Sequence, residues 1–280
     1  MNIQNAIDQA NIILKENNIK SSKLDSEILM SKVIKKDRKF VILNLHQELE
    51  SSSLDYYKNL VDQRSKGKPI AYITGKKDFW KYEFDILENV LVPRPDTELI
   101  VEQVLEITKQ KSKLKILDIG VGSGCILLSV LKEKKNFCGV GIDVSKRSID
   151  TSKINALKLN LNNRTKFFKS NVDNFFYGKY DLIISNPPYI KKLDLKYLDK
   201  DVINFEPKSA LDGGLEGISE IRKVINKSSE LIKINGKLVL EIAFNQRIKV
   251  IKLLKEKGFY INNILKDFAK NDRCIISTKQ

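Results

Sequence analysis

Apolar residues return at helical intervals through the first quarter of the chain. Ala6, Ala10, Ile13 and Leu14 share one such face. A second segment carries Leu24, Ile28, Leu29 and Val33 behind Ser22, and a third carries Tyr56, Leu60 and Val61 behind Ser53. Each serine is placed to accept a first-turn N–H as a cap. No strand-like alternation interrupts residues 1–72, so the spacing predicts a small helical bundle there. From Ala71 to Pro93 the pattern changes. Phe79-Trp80-Lys81-Tyr82-Glu83-Phe84 and Val90-Leu91-Val92-Pro93 are short and strand-like, with Asp85–Asn89 between them. They predict a β-hairpin, over residues 73–95, linking two domains. Asp96 is then placed to cap a helix through Thr97, Leu99, Ile100, Val104 and Ile107.

Beyond Ser112 strand and helix alternate. The apolar runs Leu114–Ile119, Phe137–Val144, Lys166–Ser170, Tyr180–Ser185 and Lys237–Ala243 read as strands, and residues 123–134, 146–160, 217–233 and 246–257 as helices. That order predicts an α/β, Rossmann-like domain over residues 96–280, with a mainly parallel sheet covered by helices on both faces. The tail differs. Asn262–Asp267 and Arg273–Thr278 are two strands joined at Lys270-Asn271-Asp272, so one of them should run antiparallel. No internal repeat is evident.

A length of 280 residues allows one large domain, or one plus a small one, and 42% hydrophobic content is ordinary for a globular protein. No apolar run is long enough to cross a bilayer, and the first residues lack a basic segment followed by an apolar one, so neither a membrane span nor a signal peptide is expected. Cys125, Cys138 and Cys274 are an odd set without a Cys-x-x-Cys spacing, and the one histidine, His46, lies far from them. That argues against a disulfide framework or a zinc site, and points to a reducing, cytoplasmic setting. The net charge of +15 invites a nucleic-acid reading. Only eight of the 50 basic residues are arginine, however, and the lysines are spread among Asn and Ile along the whole chain. A compositional bias accounts for that as well as a binding patch does, so direct nucleic-acid binding is not expected. A ribosomal complex stays open as a partner.

The chemistry concentrates in two places. Asn186-Pro187-Pro188-Tyr189 closes the strand Tyr180–Ser185. Neither proline has an N–H to continue a ladder, so the strand stops and a rigid turn projects Asn186 and Tyr189 from the edge where open α/β sheets bind ligands. Asn186 offers an amide oxygen and two N–H donors, Pro187 a carbonyl, Tyr189 an aromatic face. Two acceptors and a ring suit a planar –NH2 group that must be held and alkylated; the plainer alternative is a strand-ending turn. The second place is Leu114-Lys115-Ile116-Leu117-Asp118-Ile119-Gly120-Val121-Gly122-Ser123-Gly124, a strand that enters a glycine turn and then a helix. Glycines permit tight geometry and close ligand approach, and the helix N-terminus adds free N–H groups. Asp143, nineteen residues after Gly124, ends the next strand, where it is placed to hold a ribose diol or to cap the following helix before Ser145. The ribose role is common to nicotinamide and S-adenosylmethionine sites. Asp118 is placed to face a cofactor's ammonium group, or is a solvated turn-former.

With these elements in this order, the chain resembles the class I S-adenosylmethionine-dependent methyltransferases, and within them the peptide chain release factor N5-glutamine methyltransferases, the PrmC/HemK family. Leu24-Asp25-Ser26-Glu27-Ile28-Leu29 is similar to the family's N-terminal signature. So are Pro69-Ile70-Ala71-Tyr72-Ile73-Thr74-Gly75 with Phe79, and Val92-Pro93-Arg94-Pro95-Asp96-Thr97-Glu98. Further along, Glu206-Pro207 with Ala210-Leu211 and Gly213-Gly214, Glu241-Ile242 with Gln246, and Lys266-Asp267 with Arg273 also match. Val121 stands where a Thr is usual, and Ala243 and Lys270 where Gly is common. Asn171, in Ser170-Asn171-Val172, stands near the position of an Asp that the family keeps beside the adenine.

The resemblance implies a class I methyltransferase sheet behind a helical domain that recognises the protein substrate. It implies S-adenosylmethionine as cofactor, with Asp118, Gly120, Val121, Gly122, Ser123, Gly124, Asp143, Asn171 and Asn186 around it and no metal. Its substrate is the glutamine of a Gly-Gly-Gln loop in a release factor, held by Asn186, Pro187, Pro188 and Tyr189, with Tyr189 stacked on the amide. A monomer is expected. The nearest rival is an N6-adenine DNA or RNA methyltransferase, which shares Asn-Pro-Pro-Tyr because an exocyclic amine poses the same problem. A rival of another class is a non-catalytic RNA- or ribosome-binding protein that retains the fold, against which the intact glycine loop and Asn186 argue.

Overall fold

Asn2 opens the first helix, α1 (Ile3–Glu16), by accepting the Asn5 N–H at 2.9 Å. It is followed by α2 (Ser22–Ile34), α3 (Arg38–Leu43), α4 (Ser51–Ser65) and α5 (Ile70–Thr74). In this computed structural model, which describes all 280 residues, these helices form one unit, Met1–Lys76, joined by Asp199–Phe205 and its helix α9 (Lys200–Phe205). Ile3, Ile7, Leu14, Leu29, Met30, Tyr57 and Leu60 make its core. Ile13, expected on the inner face of α1, is 43% exposed; Ile3 and Ile7 hold that stripe instead, because the buried face starts one turn earlier. Neither expected serine cap forms. Ser22 is already inside α2, Ser53 lies within α4 after Ser51 and Ser52, and in such a run each serine competes equally for the terminus. Inside the bundle Arg64 donates to the Asp25 carboxylate at 2.7 Å and to the Lys68 carbonyl at 3.1 Å, and lies 4.0 Å from Asp201.

The second unit comprises Lys77–Leu198 and Glu206–Gln280. Its hairpin joins β1 (Lys76–Phe79) to β2 (Tyr82–Asp85). The expected pairing of residues 79–84 with 90–93 is therefore corrected: the first run folds on itself across Trp80-Lys81, with Trp80 at φ 59°. Distant carboxylates hold that turn. Glu98 accepts the Trp80 N–H at 2.9 Å, and Glu133 accepts the Trp80 indole at 3.2 Å and the Tyr82 hydroxyl at 3.0 Å. Asp96 does not cap α6 (Glu98–Ile107) either. It sits in a 3-10 turn, Pro95–Thr97, 3.6 Å from Arg273.

The main sheet carries β3 (Lys115–Ile119), β4 (Cys138–Asp143), β5 (Thr165–Lys169), β6 (Tyr180–Ser185), β7 (Ile232–Glu241), β8 (Phe259–Lys266) and β9 (Asp272–Lys279). Its helices are α7 (Cys125–Glu133), α8 (Lys146–Lys158), α10 (Ser219–Leu231) and α11 (Arg247–Glu256). The strand order is β5-β4-β3-β6-β7-β9-β8, parallel except for β9. This is the Rossmann-like sheet with an antiparallel C-terminal strand that the alternation predicts. The chain builds outward from β3 to β5, then returns to lay β6 against the other side of β3. Ligands bind at the C-terminal ends of strands where the order reverses in this way. There Ile119 is in register with Ser185, whose hydroxyl donates to the Ile119 carbonyl at 2.7 Å. The glycine turn and Asn186 thus leave the sheet side by side.

Candidate active site

The glycine turn is held from below and behind. The N–H groups of Gly120 and Val121 both donate to the Ile142 carbonyl at 2.9 Å. Gly120, Gly122 and Gly124 have φ of 78°, 55° and 84°, the left-handed region that side chains resist. The turn's carbonyls are taken by α8: Ser152 donates to Gly122 at 2.8 Å and Asn155 to Ser123 at 2.9 Å. The same Asn155 side chain exchanges bonds with the Asp85 backbone at 2.7 and 2.9 Å. The residues of α8 that turn inward are thus largely polar, Ser148, Thr151, Ser152 and Asn155 among them. They are not evident from the sequence, because a polar stripe on a helix reads as its solvated side.

Asp143 faces the turn across β4. It accepts the Gly122 N–H at 3.0 Å and the Ser145 N–H at 2.8 Å. The side chain that caps α8 is Ser145, which accepts from Ser148 at 3.2 Å, so Asp143 is not the cap. Burial raises the Asp143 pKa, and the N–H groups of Ser145, Gly122 and Val144 oppose that rise. Two N–H bonds leave the carboxylate with further acceptor sites.

Asp118 lies elsewhere. Ile119 lines the cleft, so its neighbour, one residue back along β3, faces the opposite side of the sheet. Asp118 is 1% exposed, and neither oxygen has a partner at hydrogen-bonding geometry. Burial pushes its pKa up to about 7; the Leu127 amide opposes this and the Asp143 charge reinforces it. Val121 also turns away: a Cβ added to Gly141 would meet it at 2.7 Å.

Asn186 donates through Nδ2 to the Thr97 hydroxyl at 3.2 Å, while its Oδ1 and the Pro187 carbonyl accept nothing within the chain. Tyr189 is anchored at both ends. Its hydroxyl donates to Glu241 at 3.3 Å, and its carbonyl accepts from Gln246 at 2.9 Å. Gln246 also donates to Gly217 at 2.8 Å. Gly217 has φ 73°, and a Cβ there would come within 2.5 Å of the Tyr189 carbonyl. On the facing wall, Glu206 takes Arg94 at 2.6 Å and the Val92 N–H at 3.3 Å, which fixes the strap that carries Leu91.

These elements enclose one cleft of about 860 Å³, open mouth included. Gly120, Gly122, Asp143, Asn171, Asn186, Pro187 and Pro188 line it, together with Leu91, Ser148, Pro207 and Ala210. Of the residues expected at the site, Asp118, Val121, Ser123, Gly124 and Tyr189 do not line it. Ser123 is buried, and the Tyr189 hydroxyl is bonded to Glu241. Asn171 spends its Oδ1 on the Asp173 N–H at 3.1 Å, which leaves its amide N–H groups as donors. His46 is exposed in the helical unit, and the three cysteines are unpaired.

Residues 5–75 match the PrmC N-terminal domain, and residues 95–265 the methyltransferase small domain. Over 282 aligned residues the chain is 38% identical to the release factor glutamine methyltransferase of Clostridium acetobutylicum, covering 100% of this chain and 99% of that one. The chain belongs to the release factor glutamine methyltransferase family. The enzyme of the same name from Buchnera aphidicola is 37% identical over 279 residues, covering 100% of this chain and 99% of its own. Among solved structures, the T. thermophilus 16S rRNA N2 methyltransferase RsmC matches with a TM-score of 0.53 at 17% identity, over 73% of this chain and 50% of that one, a likeness of fold alone. In this methyltransferase the signature segments converge on one loop. Thr97 holds Asn186, Gln246 holds Tyr189, and Glu206 holds the strap opposite. No helix is long and apolar enough to cross a membrane.

Proposed function

We propose that the protein transfers a methyl group from S-adenosylmethionine to the side-chain amide nitrogen of the glutamine in the Gly-Gly-Gln segment of peptide chain release factors. One observation carries the reading. At the rim of the cleft, Asn186 Oδ1 and the Pro187 carbonyl stand unclaimed, while the other end of the Asn186 amide is fastened to Thr97.

The cleft fits the cofactor. Asp143 keeps acceptor sites for ribose hydroxyls, and Asn171 keeps donors for an adenine ring nitrogen. Gly120 and Gly122 leave open the space that side chains would fill: no atom lies within 4 Å of a Cβ built on Gly122, and only the Asn186 carbonyl, at 4.0 Å, for Gly120. When bound, the cofactor supplies a methyl group made electrophilic by its sulfonium. The chain's own task is then positioning. An amide nitrogen is a poor nucleophile because its lone pair is delocalised. Asn186 Oδ1 and the Pro187 carbonyl accept its two hydrogens, hold the nitrogen in line and favour the positive charge that builds on it, and one of those hydrogens then leaves as a proton to water at the open mouth of the cleft. Tyr189 acts by rigidifying the turn rather than by stacking.

A glutamine side chain is a small target, so selecting one protein requires contacts elsewhere. We assign that docking to the helical unit, which carries no cluster of catalytic groups. Release factors place the work in the cytoplasm, and one chain supplies every wall of the cleft, which suits a monomer. The test is transfer of labelled methyl to intact release factor, to a short Gly-Gly-Gln peptide, and to DNA and RNA. Label on the glutamine, with intact factor preferred over peptide, is the expected result. Label on nucleic acid with none on release factor would overturn the reading.

A further inference from the structure

An asparagine amide is nearly symmetric in shape, so only its partners decide which end is oxygen and which is nitrogen. For Asn186 that choice settles whether the substrate meets an acceptor or a donor. The partner in question is the Thr97 hydroxyl, 3.2 Å from Nδ2 and on a residue 3% exposed. A hydroxyl that accepts from Asn186 must send its one proton elsewhere, or it will donate to the amide and reverse it.

Glu241 is the buried carboxylate on which the Thr97 side chain acts. This residue ends β7, in register with Cys274 of β9, and is 2% exposed. Its Oε1 accepts from the Tyr189 hydroxyl at 3.3 Å, and its buried Oε2, without a partner at hydrogen-bonding geometry, is the acceptor left open for the Thr97 proton. The Thr97 side chain favours the charged form of this carboxylate, as do Arg273 and the Tyr189 hydroxyl, whereas Asp96 opposes it. Arg273 is shared with Asp267, at 2.9 Å, and with Asp96, at 3.6 Å. Arg94 acts on Tyr189, and the Cys274 thiol is kept neutral by burial.

We infer that ionised Glu241 sets the hydrogen-bond polarity of Asn186 through Thr97, so that Glu241 and Thr97 are positioning residues for the transfer. Every proton in the chain then points one way: Asn186 N–H to Thr97, Thr97 O–H and Tyr189 O–H to Glu241. Asn186 Oδ1 is left facing the acceptor nitrogen. If Glu241 takes up a proton it becomes a donor itself. The Thr97 hydroxyl is released to donate to Asn186, the amide turns over, and an NH2 group opposes the substrate's NH2. Burial already pushes the Glu241 pKa up to about 7. The polarity is therefore lost as pH falls through that value, rather than near the ordinary glutamate range.

The inference rests on the proposed reaction but is tested without depending on it. In full-length protein carrying isotope-labelled asparagine, the Asn186 side-chain NH2 resonance is identified by its loss in Asn186→Asp. It should shift with pH around 7 in the wild type and stop titrating in Thr97→Val and in Glu241→Gln. In parallel, Thr97→Val should lower kcat by ~10- to 100-fold, as for the loss of one positioning contact. It should leave cofactor affinity within about twofold and abolish the acid limb of the kcat profile. Thr97→Ser should restore both rate and limb. An Asn186 resonance indifferent to pH in the wild type, or an acid limb that persists in Thr97→Val, overturns the inference. If the resonance titrates but the wild type methylates no release factor, the proposed reaction fails and the polarity relay stands.

Discussion

The two units bury charge in different ways. In the helical unit Asp25 faces Arg64 at 2.7 Å and Glu27 faces Arg38 at 2.6 Å, so each inward carboxylate meets a guanidinium. In the sheet unit Asp118 is buried with both oxygens unpartnered, and Glu241 with one. Burying an unpaired carboxylate is costly, and the usual response is a raised pKa, which both of these show. Asp118 lies two residues before Gly120, and Glu241 accepts from the Tyr189 hydroxyl. The sheet unit has paired burial too, Glu206 with Arg94 for one, so what sets it apart is the pair of carboxylates left partly unpartnered near the glycine turn and under Tyr189, the kind of perturbed group that functional sites collect.

The sharpest way to test the first half of that contrast is to break a pair. Arg64→Ala leaves Asp25 buried and alone, and should cost about 3–5 kcal/mol in the melting of the helical unit. Activity on intact release factor should then fall more than activity on a short Gly-Gly-Gln peptide, and cofactor binding should persist. Next in size is Asn186→Ala, which should lower kcat by ~10²-fold or more while cofactor affinity, read by calorimetry, changes little. Asp143→Ala should do the reverse. Loss of its charged hydrogen bonds should weaken S-adenosylmethionine binding by about 1.5–3 kcal/mol, and unchanged affinity would reduce Asp143 to a brace for Gly122 and Ser145.

The smallest effect concerns the lone carboxylate. The folded pKa of Asp118 is raised, so its contribution to stability is complete below the unfolded carboxylate value and is lost as pH rises to about 7. Asp118→Asn should flatten that slope and stabilise the protein at pH 8 relative to pH 5, as seen in denaturant melts. A variant with an unchanged slope would mean that Asp118 finds a partner in solution, and the contrast between the units would fail there.

Much of this was legible in advance, for local reasons. Strand and helix alternation is carried by apolar periodicity over windows of ten residues or so, and the sheet follows it closely. The glycine turn, Asp143 and Asn186-Pro187-Pro188 announced themselves because backbone geometry and missing N–H groups act on near neighbours. The errors were also local. A run of three serines does not say that all of them fall inside α4 behind Glu50, and the stretch from Phe79 to Phe84 does not say that it folds on itself. That choice was made by Glu98 and Glu133, far along the chain.

What the sequence determined by itself was the order of the elements, the helical region ahead of the sheet and the sheet edge from which the glycine turn and Asn186 leave, since each of these follows from patterns no longer than one element and its flanking turns. Only the tertiary structure decided which side of β3 Asp118 faces, that the Tyr189 hydroxyl meets Glu241, and that Thr97 meets Asn186 across 89 residues of chain. Those outcomes turn on which oxygen and which N–H come within 3 Å of each other. Long-range packing sets such distances, and no local pattern in the chain encodes them.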